Sequence, residues 1–266
     1  MFSTLKFALT FLKYIFFAKH KKGHGIHSPF VFDLITNVFN NKNIDDDLAQ
    51  ILHLHHKYKQ SNKPLVFNEM GAGSNTATMA QLKAKKNKIP QIVSTTEGKT
   101  IRNSSVTIKY GSLIYRLVKY FKPENILEIG TSVGISTLYI ARGAPESNFT
   151  TIEGVKEKIQ IAKKITQEMN LQNIQFFCND FDSGIPIILK KIKTLDFCFF
   201  DGNHTRKATE SYFNMCFEKA HNNSVFIFDD IHWSADMEKA WNTIIKHKKV
   251  SLSIDLFRLG IIFFKP

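Results

Sequence analysis

From Pro123 onward, short apolar runs alternate with amphipathic stretches, and no other feature restricts the possible folds as much. The runs Asn125–Glu128, Phe149–Glu153, Ile174–Cys178, Leu195–Phe200 and Ser224–Phe228 read as buried strands. Between and after them, Ser136–Arg142, Lys156–Met169, Ile185–Lys191, Arg206–His221 and Ser234–His247 read as helices. Strands separated by helices imply right-handed βαβ units and a parallel sheet. The end departs from this rule: Ser251–Phe257 and Gly260–Phe264 are separated by only Arg258 and Leu259, a hairpin spacing, so one strand must run antiparallel. The expected fold is α/β: a seven-stranded, mostly parallel, doubly wound sheet with a C-terminal antiparallel hairpin and a helical N-terminal cap.

Charge divides the chain in two. The net charge is +13, and residues 1–122 carry 19 basic and 6 acidic side chains, whereas the rest is balanced. A basic cap over 1–103 and a neutral domain over 104–266 follow, with any attraction to phosphate or headgroups assigned to the cap. Helices are expected at Phe2–Lys19, Asp45–Gln60 and Val106–Phe121, with another opened by Ser28-Pro29 and running to Phe39. Phe2–Phe17 is interrupted by Lys6 and Lys13 and is too short to span a bilayer. It packs on its own domain or a partner subunit, with an anionic membrane surface as the alternative. The three cysteines have no metal-binding spacing and read as reduced core residues. The chain is therefore expected in the cytoplasm, with peripheral membrane attachment as the alternative.

In an open α/β sheet, ligands bind beyond the carboxyl ends of the strands, near the switch point. The first strand runs into Glu128-Ile-Gly130-Thr131-Ser132-Val-Gly134-Ile-Ser136, whose glycines let backbone and ligand approach, ahead of a helix N-terminus. The second ends at Glu153-Gly154, a carboxylate suited to ribose hydroxyls, and the third at Asn179-Asp180-Phe181, an acid and an aromatic suited to adenine. Three strand ends thus fit one nucleoside. The spacing Gly130-x-x-x-Gly134 is not the dinucleotide fingerprint, and Glu128 would repel a pyrophosphate but welcome a sulfonium and its amino group.

From about Lys109 to Pro266 the sequence resembles the class I S-adenosylmethionine-dependent methyltransferases, most closely the catechol- and caffeoyl-type O-methyltransferase branch. The motifs that carry the likeness are the Glu128–Ser136 loop, Glu153, Asp180-Phe181, Phe200-Asp201-Gly202-Asn203-His204 and Phe228-Asp229-Asp230. The resemblance implies S-adenosylmethionine as cofactor. It assigns the methionine part to Glu128, Gly130, Thr131, Ser132, Gly134 and Ser136, the ribose to Glu153 with Gly154, and adenine to Asp180 and Phe181. Tyr110 and Asp201 would border the same site.

The metal-dependent members of that branch hold a divalent cation at the ends of strands four and five. Here Asp201, Asp229 and Asp230 would be its ligands, with Mg²⁺ or Ca²⁺ suited to oxygen donors. This sequence departs from the branch: Asp230 stands where Asn is expected, and His204, not Lys, stands three residues after Asp201. His204 or His232 is the alternative, as general base; helix capping is the plain structural role for Asp201 and Asp229. Two other clusters read as structural: Gly71-Ala-Gly73 as a turn, and His53, His55 and His56 as a solvated basic face.

The resulting expectation is methyl transfer, by in-line displacement, to an oxygen of a small-molecule acceptor, with Asp201, His204 and His232 as the catalytic candidates. The alternatives are a nucleic-acid or lipid acceptor met through the basic N-terminal region, or a silent binding protein that keeps the fold. A homodimer is a further expectation.

Overall fold

The computed structural model describes residues 4–17, 26–69 and 91–264; Gly71-Ala-Gly73 lies outside them. Two tetrapeptides anchor the architecture. Strands β6 (Phe197–Phe200) and β7 (Val225–Phe228) are apolar and buried at every position, as interior strands covered on both faces must be. With β3 (Asn125–Ile129), β4 (Asn148–Glu153), β5 (Ile174–Cys178), β8 (Val250–Asp255) and β9 (Gly260–Phe264) they form a seven-stranded sheet in the order β5-β4-β3-β6-β7-β9-β8. Strands β3 to β7 are mutually parallel; β9 runs antiparallel to both β7 and β8. Strand β8, at the edge, alternates partly buried and exposed residues along VSLSID, with one face inward.

Chain order reverses at β3, which pairs with β4 on one side and β6 on the other. Helices α6 (Ile135–Gly143), α7 (Lys156–Gln167), α8 (Phe181–Lys191), α9 (Arg206–Phe217) and α10 (Ala235–Ile244) make the connections. Hydroxyl and carboxylate caps set their starts: Asp180 accepts from the Ser183 amide, Thr205 from Ala208 and Ser234 from Met237. Asp180 thereby begins α8 four residues earlier than the pattern at Ile185 indicated.

The N-terminal part is not purely helical. Besides α1 (Thr4–Phe17), α2 (Pro29–Asp33, continuing as a π-helical turn over Leu34–Phe39), α3 (Asp46–Lys59), α4 (Glu97–Ser104) and α5 (Ile108–Phe121), it holds a two-stranded antiparallel sheet, β1 (Pro64–Glu69) with β2 (Gln91–Thr96). Only one side of this ribbon is buried: Leu65 and Phe67 are in the core, whereas Val66 and Ile92 are exposed. The pairing partner lies more than twenty residues away, so local periodicity in either strand was a weak signal. These elements share one core with the sheet, in which Leu34, Ile51, Leu54 and Ile101 join Ile114, Leu117, Tyr139 and Phe149. His55 belongs to that packing rather than to a solvated face. It is buried with Nδ1 3.1 Å from the Tyr139 hydroxyl, and burial pushes its imidazole down to about 4. His53 and His56 are exposed.

Candidate active site

Backbone hydrogen bonds align the strand ends. The Asn179 amide donates to Glu153 O, Gly130 and Thr131 to Ile152 O, Asp201 to Ile129 O, and Asp229 to Phe200 O. Residues that follow five different strands are thereby set side by side along one edge of the sheet, with the chain reversal between β3 and β6 at its centre.

The loop after β3 is tightly constrained. Gly130 (φ +106°), Ser132 (φ +47°) and Gly134 (φ +84°) all adopt left-handed backbone. The glycines first serve the fold. A Cβ on Gly130 would strike the Asp201 carbonyl on the neighbouring strand, and one on Gly134 would come within 2.6 Å of Ala162 Cβ on α7. Glu153 fastens the loop to β4: its Oε2 accepts from the Ser132 amide and its Oε1 from the Val155 amide, both at 3.0 Å. Each oxygen keeps acceptor capacity beyond that bond.

Glu128 lies deeper than the sequence indicated. It is fully buried, and its Oε2 accepts from the hydroxyls of Thr137 at 2.5 Å and Thr151 at 2.6 Å. Burial pushes its carboxyl up to about 6. Thr131 and Thr151 are joined hydroxyl to hydroxyl. Two buried oxygens here, Glu128 Oε1 and Ser132 Oγ, lack a protein partner. Buried polar atoms left unpaired are costly, and a polar ligand would satisfy them.

After β5, Phe181 packs edge-on to Tyr212 at 5.8 Å, and Gly202 leaves room for its ring. Tyr110, on α5, donates its hydroxyl to Leu256 O at 3.2 Å. Its ring lies 5.9 Å from the guanidinium of Arg258, in the connection between β8 and β9.

That connection decides the metal question. Strand β8 stops at Asp255, so the turn comprises Leu256 to Leu259 rather than two residues, with Phe257 at φ +70°. It aims Arg258 at Asp229: Nε and Nη2 donate to the two carboxylate oxygens at 2.9 Å each, and Nε lies 3.3 Å from Asp230 Oδ1. Asp229 is fully buried, and burial opposed by the stronger pull of Asp229 leaves the guanidinium still more basic than usual. An open divalent-cation site needs free carboxylate oxygens, whereas both of Asp229's are taken by a bidentate pair that already supplies positive charge. Asp201, Asp229 and Asp230 therefore do not fit a Mg²⁺ or Ca²⁺ centre, and among the described residues no group of His, Cys, Asp or Glu has metal-holding geometry.

The two histidines also separate. His232 is clamped, with Nδ1 3.2 Å from Glu238 Oε1, Nε2 2.8 Å from Asp255 Oδ2, and its ring stacked on Phe257. Burial lowers its pKa, but Asp255 and Glu238 more than reverse this and raise it. A ring held at both nitrogens by carboxylates braces the turn. His204 differs. Its Nε2 is buried and makes no hydrogen bond, 3.4 Å from Asp201 Oδ1 and 3.9 Å from Asp230 Oδ2, with the ring beside Trp233. Burial alone would lower its pKa, yet Asp201 and the neighbouring acids raise it to about 9. Asp201 is itself pushed up, by burial and then by the charge on Asp229.

The model of a methyltransferase domain matches residues 127–231, from the middle of β3 to just past Asp229-Asp230. The surrounding sheet has the fold of the class I S-adenosylmethionine-dependent methyltransferases. It is similar to the O-methyltransferase from Bacillus cereus in complex with SAH (TM-score 0.56, 18% identity, 89% of this chain and 97% of that one). It is also similar to the Streptomyces achromogenes O-methyltransferase TomG in complex with SAM (TM-score 0.54, 16% identity, 89% and 95%). A curated tRNA (guanine-N(7)-)-methyltransferase from Rubrobacter xylanophilus is 34% identical over 62 residues, 23% of this chain. That match spans only 28% of the relative's length. The turn arginine that pairs with Asp229, Arg258, is not among the residues the sequence singles out; its signal is a lone basic side chain inside the hairpin connection. No helix among the described residues is long and apolar enough to cross a membrane.

Proposed function

We propose that the methyltransferase domain moves a methyl group from S-adenosylmethionine to a hydroxyl oxygen of a small organic acceptor, with Asp201 and His204 managing the proton. One observation carries the proton role: His204 Nε2 is buried and without a hydrogen bond beside Asp201, at the end of β6 and next to the Gly130 loop. The O-methyltransferases among the solved structures with this fold support oxygen as the target.

The residues present fit the cofactor. The unpaired Ser132 Oγ and Glu128 Oε1 flank the glycine loop. Glu153 retains acceptor capacity for ribose hydroxyls, and Phe181 offers an aromatic edge beyond β5. When bound, S-adenosylmethionine supplies an electrophilic methyl on a sulfonium. The protein's part is to hold the acceptor oxygen in line and to take its proton as the new C–O bond forms. The Asp201–His204 pair retains a proton near neutrality because carboxylates surround the ring; loss of that proton leaves an imidazole able to accept the acceptor's. Arg258 pairs with both carboxylate oxygens of Asp229, so the acid cluster needs no cation from solution.

A nucleic-acid acceptor is the second reading. It is favoured by the net positive charge of residues 1–122 and by the short match to the tRNA enzyme. Calorimetry with S-adenosylhomocysteine, followed by methyl-transfer assays on phenols and on tRNA, tests both. Binding plus turnover on a phenol supports the proposal. Turnover on tRNA alone replaces it with the second reading, and no binding in a folded sample overturns both.

A further inference from the structure

Helix α1 rests on the domain through one of its sides. Phe11 and Tyr14 pack on Phe257 at ring distances of 4.9 and 5.4 Å, and the Tyr14 hydroxyl donates to Asp255 O. The helix is thereby pinned to the β8–β9 connection that carries Arg258, beside the strand ends. At 3.6 residues per turn, Leu9, Leu12 and Phe16 fall on the opposite side. They are 50%, 56% and 87% exposed, and Ile15 on the flank is 42% exposed. Four large apolar side chains on one short helix make a contiguous patch, of the kind that marks an interaction surface rather than scattered surface apolars.

Charge identifies what covers it. Lys13 is exposed and borders the apolar arc next to Leu9, Lys6 stands one heptad earlier, and Lys19, Lys21 and Lys22 follow in the sequence. The described helix has no acidic residue. A second copy of the chain, seated by two-fold symmetry, would set this lysine-rich segment against itself. Nucleic acid would use the lysines but leave Leu12 and Phe16 in water. An anionic bilayer uses both features: the apolar arc enters the acyl boundary while the lysines meet the headgroups.

We propose that α1 is an in-plane membrane-binding helix, which lays the strand-end side of the domain against anionic lipid. The inference does not depend on the methyltransferase reading.

Flotation of the full chain with phosphatidylcholine vesicles, with and without phosphatidylglycerol, tests it. The expected result is binding that requires phosphatidylglycerol, weakens with added salt, and falls by roughly tenfold or more in Leu12→Glu/Phe16→Glu. Lys13→Glu should weaken it by a smaller factor. Both sites are exposed, so thermal melting and S-adenosylhomocysteine binding should not change. If the homocysteine compound fails to bind while vesicle binding behaves as stated, the methyltransferase reading fails and this one stands. Three results overturn the proposal: no vesicle binding; vesicle binding that Leu12→Glu/Phe16→Glu leaves intact, as phosphate attraction by lysines alone would give; or a dimer in solution that the same double variant converts to monomer.

Discussion

Arg258 and Asp229 form a bidentate ion pair at 2.9 Å for each contact, with the carboxylate fully buried at the end of β7 and the guanidinium reaching it from the hairpin turn. Removing either partner strands the other. Arg258→Ala leaves a buried carboxylate unpaired, and such losses typically cost about 3–5 kcal/mol. Arg258 is partly exposed, so the lower end of that range is expected, read as a drop in unfolding free energy by urea titration. An unchanged midpoint would mean that solvent already screens the pair.

Because the guanidinium occupies the carboxylates, methyl transfer should be indifferent to divalent cations. Activity in the presence of EDTA should match activity with added Mg²⁺ to within about twofold, and a Mg²⁺ titration of the protein with S-adenosylhomocysteine should give no binding heat. Loss of turnover on chelation would show that Arg258 yields to a metal.

The proton held by His204 and Asp201 makes both stability and rate depend on pH. His204 is raised from 6.5 to about 9, so its charged form stabilises the fold fully below pH 6.5, and that contribution is lost as pH rises through about 9. Asp201, pushed up by burial and by the charge on Asp229, shares this proton with His204, and the pair loses it in the same direction. Stability should therefore decline between about pH 6.5 and 9 while kcat/KM rises over the same window. His204→Gln should lower kcat by about 10²-fold or more and flatten the rise. A bell centred on neutral pH in the wild type, or a rise that survives His204→Gln, would move the proton acceptor elsewhere.

Glu153 bonds two loop amides and keeps acceptor capacity for ribose. Glu153→Ala should weaken S-adenosylhomocysteine binding by about 1.5–3 kcal/mol, the range for a hydrogen bond to a charged group, measured by calorimetry. Unchanged affinity would place the cofactor away from β4.

Gly130 can carry no side chain, because a Cβ would meet the Asp201 carbonyl at a positive φ. Gly130→Ala should separate the ends of β3 and β6. A melting point lower by several degrees and loss of cofactor binding are expected together.

Much of this molecule is legible in the linear sequence. The all-apolar tetrapeptides of β6 and β7, the alternation in β8 and the polar caps Asp180, Thr205 and Ser234 are local signals, because burial, pleat and helix start depend on neighbours a few residues apart. The same locality set Gly130, Glu153, Asp201 and Asp229 at strand ends, since a parallel sheet places every such end on one edge. The β1–β2 ribbon was not legible, because its strands meet across more than twenty intervening residues. Neither was the burial of His55 against Tyr139, 84 positions away. The tertiary structure alone decided the chemistry of the acid cluster. Antiparallel pairing of β7 with β9 sets Gly260 opposite Phe228 and so delivers Arg258 to Asp229. The hairpin likewise ties His232 to Asp255, whereas His204 faces Asp201 at the end of β6. Sequence spacing determines which side chains stand at the strand ends; which charge faces which depends on contacts between segments far apart in the chain, where no period or motif records the partner.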